Sequence, residues 1–496
     1  MRASGILMPV SSLPSPYGIG DFSKCAYEFV EQLRQAGQSY WQILPLGPTS
    51  YGDSPYQSFS TYAGNPYFIS LEELIDQGLL EKKECEACDL GEDPAQVDYG
   101  KIYRNRLPLL RLAYERSRAQ ENPDFALFCQ EQAWWLEDYA LYMALKDHFG
   151  GVSWAEWPAD IRMREPWAMA EYQKRLAQEK AYYQYLQYLF FDQWSRLKAY
   201  ANERGIRIIG DIPIYVAFDS ADAWAGPELF QFDEQNMPTA VAGCPPDGFS
   251  ATGQLWGNPL YRWDYHKETG YAWWIRRIAA CTKMYDVVRI DHFRGFDEYY
   301  SIPFGEATAE NGHWEKGPGI SLFDAVREQL GQVDIIAEDL GFITDSVRSL
   351  VEACGYPGMK VLEFAFDSRE EANYLPHTYS RNCVVYTGTH DNETIAGWYA
   401  GLDAKDRETA LDYMNNRHTP REEIHWDFIY LAMMSVADLC IIPIQDYLGL
   451  DNRARMNCPS TLGCNWKWRL TKDEISPELT ARICDLTKIS FRFPKH

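Results

Sequence analysis

DVVRID (286–291) is an apolar, β-branched run that closes on an arginine and an aspartate, and its reading decides the fold. Branched Cβ atoms favour a pleated backbone, and near-continuous apolar character marks a strand buried on both faces of a parallel sheet. Seven other runs have the same form. They are GILMPV (5–10), YWQILPL (40–46), IRIIGD (206–211), VDIIAED (333–339), MKVLEFAF (359–366), CVVYTG (383–388) and DLCIIPI (438–444). Helical patterns lie between them. From Asp21 to Gly37, the residues Phe22, Cys25, Ala26, Phe29, Val30 and Leu33 make one apolar stripe, and Gly37 is placed as a C-terminal cap. The stretch Thr344 to Gly355 repeats the design with Val347, Leu350, Val351 and Cys354. Eight such units predict an α/β protein, a closed (β/α)8 TIM barrel.

The spacing of the units is uneven. About 160 residues separate the second and third runs, with aromatic, charged helical segments such as EQAWWLEDYALYMALKDHF (131–149). The spacing predicts one barrel over 1–496, with large insertions above its C-terminal face. One insertion is mostly helical (about 60–200), and a loop-rich one (about 212–270) covers the cleft. No separate C-terminal β-domain is expected.

Composition narrows the function. With 71 acidic and 47 basic residues the formal charge is −24, which repels nucleic acid and anionic lipid and favours a neutral substrate. No run approaches the length of a membrane span, and Pro and Gly interrupt the N-terminal apolar run, so no signal peptide is expected. The twelve cysteines are scattered, apart from Cys85/Cys88 and the looser Cys458/Cys464. A cytoplasmic protein with free thiols is the simplest expectation. Cys85-x-x-Cys88 has no second pair at zinc spacing, so neither metal nor cofactor is expected.

Catalytic groups of a barrel come from the C-terminal ends of its strands. Here these are Asp211, Arg289, Asp291, Glu338, Asp339, His390 and Asp391. Three converging carboxylates suit glycoside transfer with retention, which needs a nucleophile and an acid/base. Arg289 and Asp291 share one strand face, so the cation is expected to hold Asp291 ionised as nucleophile. A structural ion pair is the competing reading. Glu338 follows the apolar IIA and is the expected acid/base, its pKa raised; Asp339 must point to the other face. A helix-capping role competes for this pair. Asp391 in TGTHDNET suits a stabiliser of ring charge, against a plain turn. Rings in Gly/Pro-rich segments, namely Tyr51, Tyr56, Phe249, Trp256, Trp466 and Trp468, suit sugar faces. Trp134, Trp135, Trp194, Trp273 and Trp274 sit in helical patterns and read as structural.

Taken together, these residues resemble the amylomaltases, the 4-α-glucanotransferases of glycoside hydrolase family 77 in the α-amylase clan. The resemblance rests on ordered blocks that span nearly the whole chain: LPLGPTSYGDSPYQSFSTYAGNPYFIS (44–70), GDIPIYV (210–216), PPDGFSATGQLWGNPLY (245–261), RIDHFRGF (289–296), IIAEDLG (335–341), GMKVLEFAFD (358–367) and THDNET (389–394). It implies Asp291 as nucleophile, Glu338 as acid/base and Asp391 as transition-state stabiliser. It further implies that Arg289, His390, Asp211 and Tyr56 line the innermost sugar subsite. Ser54, Gln254 and Trp256 would hold sugars further along, with Asp367 and Asn457 as further contacts, and Tyr51 and Tyr99 as a secondary glucan site. One departure is MNCPSTLGCNWKWR (456–469), where the family usually has Gly after the Pro and where Cys464 is unusual. The implied activity moves α-1,4-glucan segments from maltooligosaccharides, starch or glycogen to a 4-hydroxyl, through a covalent glycosyl-enzyme and without a cofactor. An α-amylase-like hydrolase and a non-catalytic glucan-binding protein are the competitors.

Overall fold

The computed structural model describes residues 2–50, 52–246, 250–341, 343–366 and 374–494. All eight expected strands form. In chain order they are Ala3–Leu7, Tyr40–Gln42, Arg207–Pro213, Val287–Asp291, Ile335–Ala337, Gly358–Val361, Cys383–Tyr386 and Leu439–Pro443, here called strands one to eight. They pair in parallel in the order six, seven, eight, one, two, three, four, five. At the remaining seam the Ala337 N–H donates to Pro357 O at 3.0 Å, and the Met359 N–H donates to Asp339 Oδ1 at 2.6 Å. The side chain of Asp339 thus substitutes for a ladder bond and closes the barrel.

Several strands stop earlier than their apolar runs. Strand two ends at Gln42, although the Ile43 N–H still donates to Ile209 O at 3.0 Å. Glu338, His390 and Asp391 come after the ends of strands five and seven, whereas Asp211, Arg289 and Asp291 lie within strands three and four. Outside the barrel, helix Lys24–Gln35 buries Ala26, Phe29, Val30 and Leu33, and Gly37 beyond it takes φ +69°. Helix Asp345–Cys354 buries Val347, Leu350, Val351 and Cys354, is capped by the Thr344 side chain and ends on Gly355 in the left-handed region. After strand eight the described residues carry no further sheet. The terminal helix Pro477–Ile489 returns to the first barrel helix, where Gln38 Nε2 donates to Thr487 Oγ1 at 2.9 Å.

Helices Tyr99–Ser117, Pro123–His148 and Ala177–Glu203 fill the first insertion. The last of these continues into the barrel: Tyr200 packs on Tyr27 with ring centroids 4.9 Å apart and donates its hydroxyl to Glu31 at 2.8 Å. One helix therefore serves both layers. The 212–270 segment is more ordered than its Gly/Pro/Trp-rich composition suggests. Strands Ala240–Cys244 and Gln254–Pro259 join Glu298–Pro303 and His313–Lys316 in an antiparallel sheet. Half of that pairing comes from residues beyond strand four, so no local pattern could disclose it.

A buried ion pair fixes the insertion to the barrel. Arg106 and Asp21 have no exposed surface, and Arg106 Nη2 donates to Asp21 Oδ2 at 2.9 Å and to Ile69 O at 2.7 Å. Arg106 Nη1 donates to Tyr17 O at 3.1 Å. Removing one partner of such a pair leaves a buried charge uncompensated. Arg106→Ala should therefore lower unfolding stability by about 3–5 kcal/mol in a urea titration. A loss below about 1 kcal/mol would mean the insertion is held elsewhere.

Candidate active site

Strands three and four align Asp211 with Arg289 and Pro213 with Asp291, so these polar side chains meet on the inner face of the mouth. Arg289 is buried, and its Nη1 lies 2.7 and 2.6 Å from the two oxygens of buried Asp211. Its Nη2 reaches Asp291 Oδ1 at 3.1 Å. The cation is thus shared. Burial pushes the Asp291 carboxyl up, and the charges of Asp211 and Asp391 add to this, while Arg289 opposes it. The expectation of a lowered pKa is corrected: half of a guanidinium does not outweigh desolvation.

Glu338 stands at the end of strand five. Its N–H donates to Ile290 O at 3.1 Å, and its carbonyl accepts from the Phe293 N–H at 3.1 Å, which ties the ends of strands four and five together. Its carboxylate accepts from the His292 N–H at 2.6 Å and the Leu340 N–H at 2.8 Å. His292 has φ +55°, a left-handed conformation uncommon outside glycine, at the turn that presents this N–H. Burial first, then the Asp291 charge, pushes Glu338 up to about 7, against Arg289 and the two N–H groups. Asp291 touches the guanidinium and Glu338 does not, so the proton of this pair belongs on Glu338. Asp339 points away to the seam, as its strand position requires.

Asp391 is held by a loop that one buried carboxylate brackets. Thr387 Oγ1 donates to Asp446 Oδ2 at 2.5 Å, and the Ile395 N–H donates to Asp446 Oδ1 at 2.8 Å. Inside the loop, the Thr389 N–H and Oγ1 both donate to Asn392 Oδ1, at 2.9 and 2.8 Å. Gly388 packs tightly here, since a Cβ there would lie 2.6 Å from Glu363 Oε1 and would make that side chain shift. Glu363 is buried, and its carboxyl is pushed well up by burial and by Asp446. Asp391 itself accepts from Asn457 Nδ2 at 2.6 Å and lies 3.4 Å from His390 Nε2. Burial raises its carboxyl, but His390 and the Asn457 bond outweigh this and hold it far below the usual range. Burial alone would keep His390 neutral; the Asp391 charge raises it instead.

Tyr56 closes the other wall. Its hydroxyl donates to Asp211 Oδ2 at 2.8 Å, and its ring stacks on His390 at 5.1 Å. Trp466 backs both rings at 5.8 and 5.9 Å, and is buried, as is Trp468. Core packing therefore claims these two, not an open sugar face. Ser54 Oγ accepts from the Tyr56 N–H at 3.3 Å. On the antiparallel sheet, Trp256 Nε1 donates to Gln254 Oε1 at 3.0 Å, and its ring meets His292 edge-on at 4.8 Å. That sheet thus reaches the residue next to Asp291. Tyr51, Asp367 and Phe249 lie outside the described residues. Tyr99 does not fit an open platform: it is 8% exposed, with its hydroxyl donating to Trp466 O at 2.9 Å.

A family profile described as 4-alpha-glucanotransferase matches residues 8–475. The chain belongs to this family. It is 51% identical over 491 residues to a 4-alpha-glucanotransferase of Streptococcus pneumoniae, covering 98% of this chain and 97% of that one. It is 48% identical to one from Thermus thermophilus, covering 97% of each. Among solved structures, the amylomaltase from Streptococcus agalactiae in complex with acarbose superposes with a TM-score of 0.96 at 42% identity, over 100% of both chains. Family membership and barrel architecture therefore agree.

Sequence reasoning missed Glu363 and Asp446. The signal for Asp446 was a polar Gln-Asp pair just beyond strand eight's apolar run, in DLCIIPIQD (438–446). Asp446→Ala should free both ends of the Asp391 loop and lower kcat on maltotriose by about 10- to 100-fold. Steady-state kinetics on a variant with a native-like melting profile decide this; an unchanged kcat would show that the loop holds itself.

Proposed function

We propose that the chain transfers α-1,4-glucan segments with Asp291 as nucleophile, Glu338 as acid/base and Asp391 as the anion that stabilises ring charge. The observation that carries these assignments is the division of charge at the mouth. Asp391 is held strongly ionised, Asp291 sits against a cation, and Glu338 keeps a proton near neutrality. A glycosidase-type double displacement needs these three states at once.

Asp291 attacks the anomeric carbon as Glu338 protonates the leaving glycosidic oxygen, and the bond between them breaks. The donor's non-reducing segment is then an ester of Asp291. Glu338, now a carboxylate, takes the proton of an incoming 4-hydroxyl as that oxygen displaces Asp291. Asp391 and His390 face sugar hydroxyls, while Tyr56 offers a ring above the Asp211–Arg289 pair. Ser54, Gln254, Trp256 and Asn457 supply contacts outward from there, and Asp367 is carried as a further contact from the family motif. Family membership favours a glucan hydroxyl over water as acceptor. The sheet bearing Trp256 supports this, because a cover over the intermediate restricts water.

The substrates are therefore α-1,4-glucans and maltooligosaccharides. Net charge −24 disfavours nucleic acid. Among the described residues no helix is long and apolar enough to cross a membrane. A cytoplasmic location is supported by twelve free cysteines, several of them buried.

Maltotriose should yield glucose and a ladder of longer glucans with reducing ends nearly constant, since each transfer breaks one bond and makes one. Asp291→Asn should keep the melting temperature and lose at least about 10³-fold in turnover. Retained turnover would place the covalent carboxylate elsewhere, and reducing ends that climb in step with substrate loss would make the enzyme a hydrolase.

The acid form of Glu338 exists below its pKa and is lost above it. Because that pKa is raised to about 7, kcat/KM should fall as pH rises through about 7. A profile that stays flat well above neutrality would remove Glu338 from the acid role.

A further inference from the structure

Helix Pro123–His148 carries two adjacent tryptophans that its geometry sends to different environments. Adjacent residues on a helix differ by about 100° in direction. Trp135 is 6% exposed and belongs to the core, while Trp134 is 48% exposed. The Trp134 ring stands edge-on to Tyr62 at 4.8 Å, with an interplanar angle of 75°. An exposed tryptophan held by a second ring presents an apolar surface with an N–H donor in a set orientation.

These rings border a cavity of about 330 Å³, whose walls also include Tyr265, Glu228 and Arg276. Arg276 and Glu228 are exposed, and neither makes an ion pair or side-chain hydrogen bond among the described residues. A larger cavity of about 750 Å³ shares Tyr62, Trp134 and Arg276 with the first, and its walls include Tyr56 and Asp211 of the catalytic centre. Recessed surface therefore runs from Trp134 to Tyr56 and Asp211, while Asp291, Glu338 and Asp391 are not on its walls.

We propose that the cleft formed by Trp134, Tyr62, Tyr265, Glu228 and Arg276 is a second binding site for an α-glucan chain, away from the reacting bond. It is separate from the Tyr51/Tyr99 pair, and it rests on the reading of the chain as a glucan-transferring enzyme. The chemistry selects this ligand. A sugar presents an apolar ring face and a rim of hydroxyls that both donate and accept. Trp134 and Tyr265 supply faces, Arg276 supplies donors and Glu228 supplies acceptors. The walls carry the carboxylates Asp138, Asp222 and Glu228 against the one cation Arg276, in a chain of charge −24, so an anionic ligand is not favoured. A polymer held here stays near the mouth between transfers, which raises its local concentration.

The test uses the whole enzyme and insoluble granular starch, whose packed chains are poor entrants to a covered cleft. Trp134→Ala and Arg276→Ala are compared with the wild type in adsorption, in KM for soluble amylose and in kcat/KM for maltotriose. Each variant should adsorb about tenfold more weakly and show a raised KM for amylose. Maltotriose kcat/KM should stay within about twofold, since neither residue touches the reacting bond. Both side chains are exposed, so folding is retained; should Trp134→Ala melt early, Arg276→Ala decides. Failure of the wild type to adsorb, adsorption unchanged in Arg276→Ala, or maltotriose activity that falls in parallel would each overturn the proposal. A wild type that makes no longer glucans from maltotriose would instead overturn the transferase reading, independently of adsorption.

Discussion

One buried guanidinium holds the mouth of this barrel together. Arg289 contacts both oxygens of Asp211 and one of Asp291, at 2.6 to 3.1 Å. Without it, Asp291 and Glu338 would crowd one low-dielectric pocket beside Asp211 with no cation to offset their charges. Because the cation is shared, it neutralises Asp211 and only partly offsets Asp291. The pair of Asp291 and Glu338 is left with one proton between them. That imbalance is the chemical resource of the site: a carboxylate and a carboxylic acid side by side, near neutral pH.

Asp391 acquires its charge by a different route. No arginine among the described residues touches its carboxylate. His390 and Asn457 stabilise the anion from the side, and the loop that carries them is tied at both ends to Asp446. Glu363 lies under the loop at Gly388, whose missing Cβ leaves room for the Glu363 carboxyl. Burial raises both acidic side chains in this patch, and Asp446 accepts the hydrogen bonds that fix the backbone. The seam between strands five and six uses an acidic side chain in the same way. Asp339, next in sequence to Glu338, closes the barrel while its neighbour serves the cleft.

Much of this was legible in sequence, for a physical reason. Parallel strands buried on both faces cannot alternate, so their apolar runs stand out, and period-two geometry places Arg289 and Asp291 on one face and separates Glu338 from Asp339. Helix stripes and left-handed glycine caps are equally local. The antiparallel sheet that bears Trp256 was not legible, because Ala240–Cys244 pairs with Glu298–Pro303 across strand four, and Trp-Gly-Asn-Pro hides any alternation. The buried state of Trp466, Trp468 and Tyr99 was equally hidden, since loop composition says nothing about what packs against a loop.

The sequence by itself determined the eight βα units, the identity of the polar residues at their ends and the faces those residues take. Each follows from backbone periodicity and side-chain chemistry within a few residues. Only the tertiary structure decided the charges. Whether Arg289 lowers Asp291 depends on how much of it Asp211 claims from the neighbouring strand, and whether Asp391 ionises depends on Asn457, 66 residues away in the chain. Desolvation and counter-ion sharing are sums over everything nearby in space, and a sequence orders only what is nearby along the chain.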